Sequence, residues 1–421
     1  MMLAFVMMSL KIIHTADWHL GQTFFGYDRD EEQEAFLSWL TNVLVDRQID
    51  VLLIAGDVFD VANPSAASQR RFFRFLKECN RRNPHLQIVI IAGNHDSAAR
   101  LEAPEPLLEE LNTTIVGMIR RTDDGLIDFD RLIVPLYNAQ GDKEALCLAV
   151  PYLRQGDYPS MKSEGEDSYV AGVSRMYNQI FEYALTKKNT DEAIVAMGHL
   201  HATGAELSDD DRSERIIAGG LESINADVFN KNIAYTALGH IHRAQSVGER
   251  TDVRYAGSPL PMSFTEKGYH HQVVEVTVQD GKLVSAESLL VPLMAPLQCI
   301  PIVPEEPEKV LSKLSELPEA LENVDKSRWP YVEVQVLLTE PAPSFRHRVE
   351  EVLVNKAARL TAIVPFYLAK EEKAELALSS DDLQKINPLE MLRHAFACRY
   401  KGDLPQEIEG LFNEVMREVM S

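Results

Sequence analysis

A chain of 421 residues is too long for one small core, so two or three domains are expected. Hydrophobic residues make up 45% and charged residues 25%, the balance of an ordinary globular protein, and no apolar run reaches the roughly 20 residues that cross a bilayer. The formal charge of −22 argues against unaided binding of nucleic acid, because phosphate affinity comes from Lys and Arg; a DNA substrate would need a local basic surface, bound metal ions or a partner.

The chain opens on MMLAFVMM (1–8), which lacks the basic leader and small-residue cleavage site of a signal peptide; Met7 or Met8 is read as the natural start. Cys79, Cys147, Cys299 and Cys398 stand singly, which speaks against a zinc ribbon or disulfide framework and points to the reducing cytoplasm. A pattern then recurs in which a short run of Ile, Val and Ala ends in Asp, Asn, His and Gly. The cases are KIIHTADWHLG (11–21), DVLLIAGDVFD (50–60), QIVIIAGNHD (87–96), AIVAMGHLH (193–201), IAYTALGHIH (233–242) and VRYAGSP (253–259). Such runs read as buried strands. Between the first three lie helical stretches. Glu31 to Arg47 places Phe36, Leu40, Val43 and Leu44 on one face, and Ser65 to Arg82 places Phe72, Phe73, Leu76 and Cys79 likewise. Strand and helix alternating at this rhythm predict a layered α/β domain over 9–291, with its polar clusters at strand ends, where such folds bind ligands.

Prolines 292, 296, 301, 304 and 307 mark a boundary or linker. A smaller α/β unit over 292–370 follows, with a helix near Glu308–Leu317, the alternating strand YVEVQVLL at 331–338, a helix near Ser344–Leu360 and a strand near Ala362–Leu368. Residues 371–421 hold the rest of a charged link (Lys370 to Lys385) and two amphipathic helices. One starts at Asn387 and Pro388, carries Leu389, Leu392, Phe396 and Tyr400 and stops at Gly402; the other carries Ile408, Leu411, Phe412, Val415 and Val419.

The polar clusters suit a metal centre. Asp17 and His19, two apart past a strand, share a side if the backbone is extended, as do His240 and His242. Asp57 can bridge two cations, Asn94 offers a neutral carbonyl, and His199, His240 and His242 offer imidazoles. This O/N set suits Mn²⁺, Fe or Zn better than Mg²⁺ or Ca²⁺. Two such cations bind a scissile phosphate and lower the pKa of a bridging water. His95, beside Asn94, faces the substrate as phosphate hydrogen-bond donor or general acid, with Asp96 fixing its tautomer. GHLH also places His201 two residues after His199, and either can ligate by geometry. Each of DWH, GDVFD, GNHD, GHL and GHIH alone is a weak or moderate signal; all five in this order, each at a strand end, are strong.

These residues resemble the calcineurin-like metallophosphoesterase superfamily, and within it the chain is similar to the SbcD family from about Ser9 to its end. The most specific elements are HTADWHLG, AGDVFD, AGNHDS, GHL, ALGHIHRAQ and YAGSPLPMSF. The resemblance implies a β-sandwich flanked by helices, a smaller capping domain and C-terminal helices that dock on an SbcC-like SMC-type ATPase. It implies one metal at Asp17, His19, Asp57 and His242, a second at Asp57, Asn94, His199 and His240, and a catalytic His95; its register favours His199 over His201. It also implies Mn²⁺-dependent 3′–5′ exonuclease action on duplex DNA, endonuclease action on single strands and hairpins, and a homodimer within a heterotetramer.

The remaining histidines take plainer readings: His14 as core or metal support, and His85, His270, His271, His347 and His394 as surface. Arg70, Arg74, Lys77 and Arg81 form a solvated basic face, and Asp60 is a turn residue. Three other functions compete. A phosphoprotein phosphatase would carry GDxxDRG and GNHE, but Val61 and Ala62 follow Asp60 here and Asp96 replaces the Glu. A small-nucleotide phosphodiesterase would not need the extra domain, and a non-catalytic scaffold would not need a complete ligand set.

Overall fold

The computed structural model describes residues 9–159, 169–202, 224–321, 325–367 and 404–419, with Ala205 and a few single residues between 389 and 400. The expectations for Met1–Met8, for the link 370–385, for the start and stop of the first terminal helix and for His394 lie outside the described residues. The chain divides into two compact units, Met1–Ala295 and Pro296–Ser421.

The first unit is built on two six-stranded mixed sheets. One has the order β12-β11-β1-β2-β3-β4, from β1 (Leu10–Thr15), β2 (Val51–Ala55), β3 (Gln87–Ile91), β4 (Thr113–Val116), β11 (Gln272–Gln279) and β12 (Lys282–Leu290). The other runs β5-β6-β7-β8-β10-β9, from β5 (Ile133–Tyr137), β6 (Lys143–Ala149), β7 (Ala193–His199), β8 (Tyr235–Gly239), β9 (Gln245–Val247) and β10 (Arg250–Tyr255). Alternation along each strand builds the layers. Leu10, Ile12, Val51, Leu53, Val89 and Ile91 point inward into a core shared with Leu146, Leu148, Val195, Met197 and Leu238 of the second sheet. Ile13, Leu52, Ile54, Ile88 and Ile90 point outward and pack under α1 (Asp30–Asp46) and α2 (Ala66–Arg82) through Phe36, Leu40, Phe72 and Leu76. The helix Tyr169–Leu185 joins the core through Val173, Met176, Tyr177 and Ile180. This is the helix-flanked β-sandwich expected.

Strands β1, β2 and β3 are mutually parallel, as are β7 and β8. Their carboxyl ends therefore gather the polar clusters. Gly239, ending β8, lets the sheets close there: a Cβ on it would lie 2.0 Å from the Ala55 carbonyl and 2.9 Å from both Ala16 Cβ and His199 Nδ1. The basic residues Arg70, Arg74, Lys77 and Arg81 of α2 are exposed, which fits a solvated face and a DNA or dimer surface alike.

The second unit is a three-stranded parallel sheet, β13 (Leu297–Glu305), β14 (Tyr331–Leu338) and β15 (Arg359–Tyr367), with β14 central. Helices Pro307–Ser315 and Phe345–Leu353 pack on it through Val310, Leu314, Phe345 and Val349. Two expectations are corrected. The proline-rich stretch, read as a boundary or linker, holds the break between the units, but it is no linker from Leu297 on, where it forms β13, an edge strand in which a missing N–H is tolerated. The helix expected to Leu360 ends at Leu353, because Ala357 N donates to Pro318 O and Ala320 N to Asn355 O, which diverts the backbone from further helical bonding. The second terminal helix spans Gln406–Val419.

Gly239→Ala is expected to cost about 1–3 kcal/mol by overpacking where the sheets meet. Denaturant melts should show this loss, while Gly268→Ala, whose Cβ would meet nothing within 4 Å, stays near the parent.

Candidate metal centre

Seven residues from five strand ends converge. Asp17 and His19 follow β1, Asp57 follows β2, Asn94 follows β3, His199 ends β7, and His240 and His242 follow β8. Potential ligand atoms of Asp17, His19 and His242 lie within 4.8 Å of one another, as do those of His19, Asp57 and His95 and those of Asp17, Asp57 and His199. The convergence does not come from extended backbone. Asp17 (φ 54°), His19 (φ 45°), Asp57 (φ 50°) and His240 (φ 99°) are four of eight non-glycine residues with positive φ among the described residues. Such conformations cost about 1–3 kcal/mol each and persist only where surrounding contacts hold them. Here Asp17 N donates to Gly56 O and His19 N to Asp57 O, both at 3.1 Å.

Asp57 is the hub. Its Oδ1 accepts from His95 N at 2.9 Å, and its Oδ2 lies 3.2 Å from His199 Nε2 and 3.8 Å from His19 Nε2. The Asn94 carbonyl oxygen sits 2.9 Å from His199 Nε2 and 3.0 Å from His240 Nδ1. Gly93 makes room for this, since a Cβ there would fall 2.1 Å from Asp57 Oδ1. His199 Nδ1 bonds the Ala55 carbonyl at 2.8 Å, which leaves Nε2 as the ligand nitrogen. Its neighbour His201 joins none of the three ligand groups among the described residues.

The residues present fit cations. Asp17 Oδ2 and His19 Nε2 are buried yet have no hydrogen-bond partner, the signature of atoms aimed at an ion. Charge follows the same logic. Burial works against a charge on His199, but the Asp57 and Asp17 carboxylates outweigh it and hold its pKa up at about 9. Burial would raise Asp57, but the surrounding imidazoles, His199 foremost, keep it far below the usual carboxylate range. Asp17 is pushed up by burial. The pocket thus favours positive charge among its carboxylates.

His95 is half-buried, with its ring edge-on to His19 at a centroid distance of 4.8 Å. Its tautomer is set by Asp60, whose carbonyl lies 2.8 Å from Nδ1, and that role had been expected of Asp96. Asp96 instead accepts from the backbone N–H groups of Val58, Phe59 and Gly93 at 3.0–3.1 Å, tying the loops that carry Asp57 and Asn94. Burial, with Asp57 nearby, moves its pKa to about 6.

Sequence reasoning missed two supports. Asp60 Oδ1 lies 3.3 Å from His19 Nδ1, so the expected turn residue also orients a ligand. Glu266, buried, holds His242 Nδ1 at 2.9 Å and accepts from Met262 N. It sits two residues beyond the YAGSPLPMSF motif, and a carboxylate so close to that motif was the available signal. His271, read as surface, is only 6% exposed and bonds the Ser258 carbonyl through Nδ1 at 2.9 Å. His14 is core as expected: Nδ1 meets Tyr235 Oη at 2.9 Å, Nε2 meets the Leu238 carbonyl, and burial drives its pKa down to about 3.

A helix-flanked sandwich with this O/N pocket at its strand ends defines a metallophosphoesterase, and residues 10–244 match the calcineurin-like phosphoesterase family. Residues 294–400 match the Type 5 capsule protein repressor C-terminal domain. The chain is 34% identical over 393 residues to the SbcD subunit of the SbcCD nuclease from Rhodobacter capsulatus, covering 92% of this chain and 94% of that one. It is 36% identical over 294 residues to the SbcD protein of Escherichia coli K12 (68% and 70% covered) and 32% identical over 334 residues to that of Bacillus subtilis 168 (78% and 79%). The chain belongs to the SbcD family of calcineurin-like phosphoesterases.

Glu266→Gln keeps the shape but weakens the hold on His242. Titration calorimetry should show Mn²⁺ affinity falling about 10–100-fold, the usual loss when a carboxylate behind a ligand histidine is removed. Unchanged affinity would make Glu266 purely a packing residue.

Proposed function

We propose that the protein cleaves DNA phosphodiesters, as a 3′–5′ exonuclease on duplex ends and an endonuclease on single strands and hairpins. It does so with Mn²⁺ at two positions and an SbcC-like ATPase as partner, in cytoplasmic DNA recombination and repair. The observation that carries this reading is the Asp57-centred pocket in a chain 34% identical to a nuclease subunit over nearly its whole length. Asp17, His19, Asp57 and His242 hold one cation, and Asp57, Asn94, His199 and His240 the other. When bound, the cations bind and polarise the phosphate and acidify the attacking water. Asp57 positions both cations with one carboxylate, and Asn94 ligates without adding negative charge. His95, with Nδ1 directed to Asp60 O, offers Nε2 to a phosphate oxygen or to the leaving oxygen.

Residues 292–370 are assigned as the capping domain and 371–421 as the docking segment. Leu411 and Ile408 on the helix Gln406–Val419 are 67% and 42% exposed, a stripe that suits a partner's coiled coil. That partner also supplies much of the DNA grip for a chain whose net charge is −22. A homodimer inside a heterotetramer completes the proposal.

Purified protein with Mn²⁺ should cut duplex DNA, a hairpin and bis(p-nitrophenyl) phosphate, and chelation should stop all three. Cleavage of the small ester alone would indicate a small-molecule phosphodiesterase, and no cleavage a scaffold. His95→Asn should slow hydrolysis by about 10²–10⁴-fold with both metals retained; loss of metal would make His95 a ligand. Ile408→Glu with Leu411→Glu should weaken binding of the ATPase's coiled coil about tenfold or more in calorimetry, since each charge must enter an apolar groove. Unchanged affinity would place the docking surface elsewhere.

A further inference from the structure

Two cations can hold one phosphate, but a polynucleotide brings further phosphates and bases on either side of it. Two matching pairs of side chains stand beside the metal centre. On the His199 side, the half-buried Tyr152 ring lies edge-on to the His199 imidazole at 6.2 Å, and the exposed Arg154 guanidinium lies 5.5 Å from the centre of the Tyr152 ring. Tyr152 N donates to Ala92 O at 2.9 Å, which fixes this segment to the strand end that carries Asn94. On the His242 side, exposed Arg243 directly follows the ligand, and its guanidinium lies 5.7 Å from the centre of the Tyr269 ring. Tyr269 N donates at 2.8 Å to the carbonyl of Glu266, the residue whose carboxylate holds His242.

The pairs thus neighbour different clusters, one next to His199 of the Asp17, Asp57 and His199 group and the other next to His242 of the Asp17, His19 and His242 group. Around a pocket rich in carboxylates, each supplies an exposed cation and an aromatic ring, the two elements that bind single-stranded nucleic acid without regard to sequence. Arginine suits the task because its planar fork grips phosphate and stacks on a ring at once.

We propose that Tyr152 with Arg154 and Tyr269 with Arg243 form two nucleotide subsites, one on each side of the scissile phosphate. Each takes a neighbouring phosphate on its guanidinium and a base or sugar against its ring. The proposal rests on the reading of the chain as a nuclease. It gives an acidic protein a local source of strand affinity independent of any partner.

The test uses the full chain with Mn²⁺ and a 5′-fluorescein oligothymidylate, with bis(p-nitrophenyl) phosphate as a substrate that has no flanking nucleotide. Arg154→Ala and Arg243→Ala are each expected to raise KM for the oligonucleotide about tenfold, and the double variant by about the product. The slope of log KM against log salt should fall by about 0.7 for each arginine removed, as expected for one single-strand phosphate contact. Arg→Lys at either position should restore most of the salt slope, and kcat/KM for DNA should fall far more than that for the ester. Wild-type KM and salt slope in the alanine variants would overturn the proposal. So would a parallel loss on both substrates, which would make the pairs supports of the metal centre. Wild-type protein that hydrolyses the ester but never the oligonucleotide would overturn the nuclease reading itself.

Discussion

The carboxylate of Asp57 lies buried between two sheets, with imidazoles from both against its oxygens and a backbone N–H from the Asn94 loop on one of them. A bare carboxylate in such a place carries a large desolvation penalty, and only concentrated positive charge offsets it. The rest of the site answers that demand. Gly93 and Gly239 admit the close approach of chain segments, Asp96 ties the two loops that meet at Asp57, and four residues accept left-handed backbone to aim their side chains inward. Stability is given up locally, as expected where a pocket is organised in advance for cations.

The candidate ligands stood out because chemistry at strand ends leaves a dense signature: five short motifs, each an apolar run ending in Asp, Asn or His. The reason they converge did not. Sequence spacing suggested that Asp17 and His19 share a side through strand alternation, whereas both adopt positive φ just beyond β1 and so bring their ligand atoms within 4.8 Å. Supports reached only by long-range contact left little trace. Glu266 serves a histidine 24 positions earlier, and Asp60 serves His19 from the next strand's loop. His271 looked like a surface histidine beside His270 because polar neighbours hide the fact that it is buried beside Ser258.

Fold class followed from the alternation of strands and helices, and the two outer helices fell within a residue or so of their expected ends. Strands β11 and β12 were harder to see. β11 returns from the far end of the unit to pair with β1 and carries β12 on its outer edge, and such pairing depends on register rather than on any local residue pattern. Prolines gave a mixed signal for a similar reason. Pro301 and Pro304 look like linker residues one at a time, but an edge strand has a side on which a missing N–H costs nothing.

Because the ligands come from both sheets, the centre has a place in time as well as in space. A chain on which only β1, β2 and β3 have been made carries Asp17, His19, Asp57, Asn94 and His95 but none of the three imidazoles that the second sheet brings. On the proposed ligand assignment, a complete cation pocket requires β7 and β8 to have paired and closed on the first sheet, more than half-way along the chain. Once they have, each bound cation cross-links the two layers and favours the closed sandwich by mass action. The same feature that completes the pocket thus ties metal binding to the closure of the two sheets.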